Sequence, residues 1–459
     1  MYHLNDDGEP LPCKATKGRC PYAAEKHFTS KEAARAAYEQ LQESAVTSVS
    51  RSVPHKMTLS NETTKLLETL YAKKLNPYVV GGSVRDSILS GAVPKDIDIE
   101  VFEAKNMDHL ESVLRKAGYH VDAVGKSFGV LKMTLPGGDD IDISLPRRDS
   151  KSGDGHRGFD VTVDPSLSIE DASGRRDFTI NALYYSHLEG HVKDPHGGLE
   201  DYRREQLRHI NEHFAEDPLR VIRGAQFAAR FKMKLDPETA KLCNDLRSEF
   251  KTLANERLQV EFEKMLSKGD VAYGLATLKQ TGWDQDLKLD KLPTSTSAEA
   301  NASIGRAKNF GEDSTVFGAA TILKASEKAD RRFIANYMVT GEKRQRKADA
   351  LVKTEGPKSS SKRDVKAWAR GIGRMGLTAQ DYYIFSGDES VRTAAIKAGT
   401  FEAPVPDILT GAKVLEHSAR TPGPWMGKLL REASQAQDEE VFTNDASARV
   451  WLQKKLQEF

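Results

Sequence analysis

Cysteine is nearly absent from this 459-residue chain; Cys13, Cys20 and Cys243 are the three it has. That is too few for a disulfide-stapled secreted scaffold and makes a reducing cytoplasm the expected setting. Long apolar runs are missing too. No stretch of about 18 apolar residues occurs, so no membrane-spanning helix is expected. The opening MYHLNDDGEPLP has neither a basic start nor an apolar centre, so it does not read as a secretory signal. A charge excess is also lacking. There are 68 Lys and Arg against 67 Asp and Glu, a net charge of +1, so any nucleic-acid-binding surface must be local. No internal repeat is visible. At roughly 150 residues per domain the length suggests about three domains. These can bury cores without staples or structural metals.

Residues 1–55 differ in texture from the rest and read as an appended segment, with a linker near 48–55. From about residue 57 the pattern turns α/β. The spacing of Leu66, Leu67 and Leu70 predicts a helix over 61–74. Further helices are expected at 84–89 and 107–117. Strands are expected at 78–80, 97–102, 119–124, 130–135 and 141–145. Residues 147–160 are polar and glycine-rich, a loop pattern, and 180–186 with 191–193 suggest a hairpin about Glu189-Gly190. After Asp217 the pattern is helical, at 218–231, 237–247, 255–266 and 272–281. A Ser/Thr/Ala-rich break is expected at 286–303, with further helices to the end.

The first chemical constellation is Gly81-Gly82-Ser83-Val84-Arg85-Asp86, followed by Lys95-Asp96-Ile97-Asp98-Ile99. A strand running into two glycines and a helix start lets backbone N–H groups approach phosphate closely. Arg85 adds a cation in the first turn. Asp96 and Asp98, two apart on a strand, share one face while Ile97, Ile99 and Val101 turn to the core. Two carboxylates beside a phosphate cradle suit Mg²⁺. Taken alone, a Gly-Gly pair is usually a turn and a lone DxD a solvated strand edge; it is their combination that points to chemistry. A second DxD, Asp140-Ile141-Asp142, offers Asp142 as a third carboxylate or merely a solvent-facing charge.

The segment VGGSVRDSILSGAVPKDIDIEVF resembles the nucleotidyltransferase head of class II CCA-adding enzymes and bacterial poly(A) polymerases. The resemblance implies an α+β chain: a polymerase-β-like head with a mixed sheet at 57–200, then an all-helical neck (201–283) and a helical body and tail (284–459). Within it, RRDFTINA implies that Arg176, Asp177 and Asn181 hold ribose and phosphate, beside Gly82 and Arg85 on the triphosphate. DPHGGLED implies a hinge at Asp194–Leu199, structural rather than chemical. EDPLRVIR implies a base-reading template of Asp217 and Arg220, with Arg223 also at the nucleotide. From the residues alone, Asp217 before Pro218 is a helix cap with proline at the first helical position. The charged segment around 147–156 matches a loop that full CCA-adding relatives carry. Asn255-Glu256-Arg257 resembles a structural neck motif, and Ile408–Gly411 with Pro422–Gly427 a degenerate tail element.

Two features stand outside that pattern. Residues 341–370 hold ten Lys and Arg against four acids, a local basic run suited to RNA phosphates. Cys13, Cys20 and His27 could ligate zinc, although two free thiols fit their irregular spacing better. The expected activity is Mg²⁺-dependent addition of CMP and AMP, from CTP and ATP, to the 3′ end of tRNA, with no DNA or membrane partner. Asp96 and Asp98 would carry metal and catalysis. Alternatives are poly(A) or A-only addition and, from another class, a non-catalytic RNA-binding relative.

Overall fold

The computed structural model describes residues 2–4, 10–12, 27–28, 51–123, 125–126, 129–151, 159–418 and 420–458. Cys13 and Cys20 lie outside them, as do residues 152–156 of the charged segment 147–156, whose first half is the strand Arg147–Lys151, and the side chain of His27 is likewise not described. The chain divides into two compact units, residues 1–150 with 160–201, and residues 151–159 with 202–459.

The first unit is built on a seven-stranded mixed sheet. Its strands in chain order are β1 Arg51–Pro54, β2 Asn76–Val80, β3 Asp96–Phe102, β4 Val130–Thr134, β5 Asp140–Ser144, β6 Tyr184–Ser186 and β7 His191–Asp194. Across the sheet they lie in the order β1-β7-β6-β2-β3-β5-β4. Only β3 and β5 pair in parallel; their register sets Asp96 beside Asp140 and Asp98 beside Asp142. The alternation of strand side chains explains the burial. Ile97, Ile99, Val101, Ile141, Ile143, Leu131 and Val79 fill one face with the buried leucines of the helices Asn61–Ala72 and Met107–Lys116. The carboxylates of β3 and β5 therefore face the other way. On that side a second cluster of Tyr78, Val80, Phe102, Leu167, Ala172 and Tyr184 covers the part of the sheet away from the acids.

Several expectations shift. Residues 51–54, read as linker, form an edge strand paired with His191–Asp194. The alternating Arg51-Ser52-Val53-Pro54 is too short a pattern to signal this. The expected strand at 119–124 reduces to a single bridge between Asp122 and Lys132. The break at 286–303 is half helix, because Thr296, Ala300, Ser303, Ile304 and Ala307 form a buried stripe of mostly small residues along Thr296–Asn309. Small residues carry little hydrophobic signal but allow close packing. Gly318 of the helix Ser314–Ala325 sits where an added Cβ would come within 2.7 Å of Ile304 Cδ1.

The second unit is helical from Leu219 onward, with one short parallel strand pair, Gln206–Leu207 with Lys234–Leu235. Helices Leu219–Phe231, Asn255–Lys268 and Val271–Thr281 pack together. Trp283 is fully buried nearby, its indole N–H donating to the Cys243 carbonyl at 2.8 Å. Burial pushes the Cys243 thiol up to about 12, so this cysteine packs as a small apolar residue rather than as a nucleophile. The C-terminal helices enclose a separate core that includes Leu409, Val414, Leu429, Phe442 and Leu452. No helix among the described residues is long and apolar enough to cross a membrane.

Candidate active site

The glycine turn comes first. Gly81 has φ +75°, which an L side chain rarely adopts, and a Cβ there would stand 3.0 Å from Arg176 Nη1. This turn ends β2 and starts the helix Gly82–Ser90. Val80, the last residue of β2, pairs with Asp98. One row across the sheet therefore reads Val80, Asp98, Asp142 and Lys132. Lys132 donates to both oxygens of Asp142, at 3.0 and 2.8 Å. A cleft of ≈ 640 Å³ is lined by Asp96, Asp98, Asp140, Asp142, His120, Asp122 and Lys132, among others. Burial pushes the Asp98 carboxyl above its ordinary value; Arg176 pulls against this and Asp142 adds to it. Asp142, left open by the sequence, thus lies on the same face as Asp98 and next to it.

The RRD segment supplies cations from one side. Arg175 Nη2 lies 3.0 Å and Arg176 Nη2 3.8 Å from the fully buried carboxylate of Glu100, which also accepts the Tyr184 hydroxyl at 2.6 Å. Burial alone would raise Glu100, but the two guanidiniums and the tyrosine hold it below the ordinary value. Arg176 lies 5.7 Å over the Tyr184 ring and retains a buried Nε with no acceptor among the described residues. Asp177 accepts from its neighbour Phe178 N at 2.7 Å and from Asn181 Nδ2 at 2.8 Å. Asn181 Oδ1 in turn accepts from Arg85 Nη1. Arg85 is 4% exposed and also pairs with Asp86 at 2.8 Å, over the Gly82 backbone. Gly82, Arg85, Asn181 and Asp177 are thereby joined into one brace between the glycine turn and the RRD turn.

The Asp194–Leu199 turn locks the same region. Asp194 accepts Gly198 N at 2.7 Å and Leu199 N at 3.0 Å. A Cβ on Gly198 would meet Thr179 O at 2.2 Å, so glycine is required there by contact.

In the second unit Asp217 accepts Leu219 N at 3.2 Å, the cap its place before Pro218 implies. Its other oxygen lies 2.9 Å from Arg257 Nη2. Arg220 Nη1 donates to His213 O at 2.6 Å, and Arg223 lies 3.5 Å from the buried Glu261. Arg257, which pairs with Asp217, lies one turn before Glu261 on the helix Asn255–Lys268. That helix, read as purely structural, thus holds the side chains of Asp217 and Arg223.

Glu100, Tyr184 and Glu261 escaped the sequence reading, and Arg257 entered it only as part of a structural neck motif. Glu100 had a signal, since it follows Asp98 by two on the same strand face. The other three have none without the packing. The basic run 341–370 also changes meaning. Seven of its ten cations pair with acids, six of them with acids outside the run: Arg344 with Asp313, Lys347 with Asp381, Lys362 and Lys366 with Glu440, Arg363 with Glu439, and Arg370 with Asp407 and Asp438.

Comparison with known proteins fits this geometry. Residues 77–208 match the poly A polymerase head domain, and residues 232–284 match the probable RNA and SrmB-binding site of polymerase A. These two matched segments make the chain similar to class II CCA-adding enzymes and bacterial poly(A) polymerases. Among relatives of this family, the multifunctional CCA protein of Xanthomonas campestris pv. campestris is 38% identical over 210 residues, 45% of this chain and 48% of that protein. That of Pasteurella multocida is 39% identical over 210 residues, 45% and 47% of the two chains. The chain thus spans about half the length of the curated relatives it matches. The Bacillus stearothermophilus CCA-adding enzyme, solved with CTP, superposes with TM-score 0.62 at 20% identity, covering 86% of this chain and 97% of that one. The Thermotoga maritima CCA-adding enzyme, solved with tRNA, gives 0.57 at 19% identity over 86% and 96%. These superpositions establish the shared fold: an α+β nucleotidyltransferase head followed by helices.

Proposed function

We propose that this chain adds CMP and AMP, as CCA, to the 3′ end of tRNA, taking CTP and ATP as substrates in the cytoplasm. The observation that carries the reading is the Asp98 row. A carboxylate raised by burial and by a neighbouring carboxylate stands beside a left-handed glycine turn and an arginine with a buried, unmet N–H. No three His, Cys, Asp or Glu among the described residues converge as a ready-made metal cage. Mg²⁺ is held through one or two carboxylates together with substrate phosphates. The carboxylate oxygens of Asp96, Asp98 and Asp142 on this face also suit a hard cation. Asp96 and Asp98 would hold it, with Asp142 as the nearest further carboxylate. When bound, Mg²⁺ lowers the pKa of the RNA 3′-hydroxyl and neutralises charge on the leaving pyrophosphate.

The chain's own residues do the positioning. The Gly81-Gly82 turn lets the triphosphate approach the backbone, and Arg176 offers its spare N–H to phosphate. The Arg85–Asn181–Asp177 brace keeps that pocket in register and presents polar groups to the ribose. Asp217 and Arg220 read the base through a donor and acceptor pair, and Arg257 sets the angle of the Asp217 carboxylate. The test is incorporation of labelled CTP and ATP. Asp96→Ala or Asp98→Ala should abolish both while the fold persists, and normal turnover in either would remove the metal-site assignment.

A further inference from the structure

Within the second unit a cleft of ≈ 780 Å³ opens between the helices Lys362–Gly373 and Pro424–Asp438 and the segment after Lys353. Its volume falls in the range of small-ligand sites. It is also where the positive charge of this region stays unneutralised. Lys353, Lys358, Arg374 and Arg431 line it, all exposed, and among the described residues none of the four has a carboxylate partner. Of the acids along the cleft, Asp407 and Asp438 are spent on Arg370, at 3.1 and 2.8 Å. Glu355 and Asp364 remain, so cations prevail.

Two further observations point to a ligand. Arg370 is 7% exposed; Nε and Nη1 are bonded to Val405 O, Ser434 O and Asp438, yet Nη2 is buried with no acceptor. A buried donor left unmet is costly, and an anion entering beside it would relieve that cost. The cleft also has an aromatic and aliphatic lining. Trp368 is held by its indole N–H on Glu355 O at 2.8 Å and by edge packing on Tyr382 at 5.3 Å. Ile372, Met375 and Leu430 line the same space, and Met375 is 44% exposed.

We infer that this cleft binds a phosphorylated nucleoside, its base against Trp368 and Met375 and its phosphate on Arg374, Arg431 and Lys358. The ligand chemistry has two sources, an unstacked nucleotide of an RNA strand or a free nucleotide. The RNA source rests on the transferase reading above; the free-nucleotide source does not.

The test uses the full chain with the paired variant Arg374→Glu/Arg431→Glu, whose side chains are exposed, and separately Trp368→Leu, with thermal melting to verify folding. Binding of a tRNA transcript is measured across salt concentrations, and ATP binding stoichiometry is measured by calorimetry. If RNA is the source, the paired variant weakens transcript binding about tenfold or more and lowers the salt slope by roughly 1.4–1.8, as for two lost phosphate contacts. Trp368→Leu then weakens it about five- to hundredfold, the loss of one base stack. If free nucleotide is the source, wild type binds one more ATP than the paired variant does. In either case CTP and ATP incorporation on a short primer stays at wild-type level, which keeps failure here separate from failure of the transferase reading. Unchanged transcript affinity together with unchanged ATP stoichiometry in both folded variants would overturn the inference.

Discussion

Glu100 is a buried carboxylate placed between two guanidiniums, and replacing it tests whether the RRD segment is held the way the structure implies. In Glu100→Gln the Tyr184 hydroxyl keeps an oxygen acceptor, but the charge facing Arg175 at 3.0 Å and Arg176 at 3.8 Å disappears. Both arginines are more than four-fifths buried, so solvent screening recovers little. Removing one partner of a buried pair costs about 3–5 kcal/mol. For a unit of this size that lowers the melting temperature by about 6–20 °C. Arg176 would swing towards Asp98, its nearest remaining countercharge, and draw phosphate-binding capacity and metal-binding charge down together. The measurement is differential scanning calorimetry beside CTP incorporation. The pH dependence adds a signature. Glu100 is held below its ordinary value, so its contribution is present above 4.5 and is lost as pH falls through the lower, folded value. The gap between wild type and Glu100→Gln must therefore close in acid. A variant melting within about 2 °C of wild type at neutral pH, with full activity, would refute the reasoning.

Other outcomes follow from the same geometry. Asp98 is raised in the fold, so its own contribution to stability is lost as pH rises from 3.8 through the higher folded value, and Asp98→Asn should be inactive yet at least as stable as wild type at pH 7 without metal, by calorimetry. Arg257→Ala should relax CTP and ATP preference by about tenfold in misincorporation ratios, because it frees the Asp217 carboxylate. Gly198→Ala should destabilise by about 1–3 kcal/mol or more, read by chemical denaturation, since its Cβ meets backbone. Removing residues 1–50 should leave melting and addition intact, whereas removal through His55 strips the edge strand and the His55–Ser87 contact and should lower the melting temperature.

Much of the head was legible because its signals are local. DIDIE fixes a strand face by alternation alone, and Gly81 fixes a turn by the φ only glycine adopts cheaply. The match of β3 to β5 was half visible as a second DxD; that Asp142 lies beside Asp98 needed the parallel register, which no local pattern encodes. The same limit hid Arg257. Forty residues separate it from Asp217, and only the packing of two helices brings them to 2.9 Å. The basic run misled for a related reason, since the acids that neutralise it come largely from elsewhere in the chain. Thr296–Asn309 was missed because a stripe of Ala, Ser and Thr packs closely without looking hydrophobic.

The central claim is tested most directly by product length. Transcripts of tRNA ending at the discriminator base, at C or at CC are incubated with the full chain and Mg²⁺, with CTP alone, with ATP alone and with both. The account predicts extension by three, two and one nucleotides to a common CCA end when both are present. It also predicts arrest at CC with CTP alone, and no product from Asp98→Ala. Long ATP-dependent tails, ATP addition restricted to the CC transcript with no CTP use, or no extension at all would contradict it.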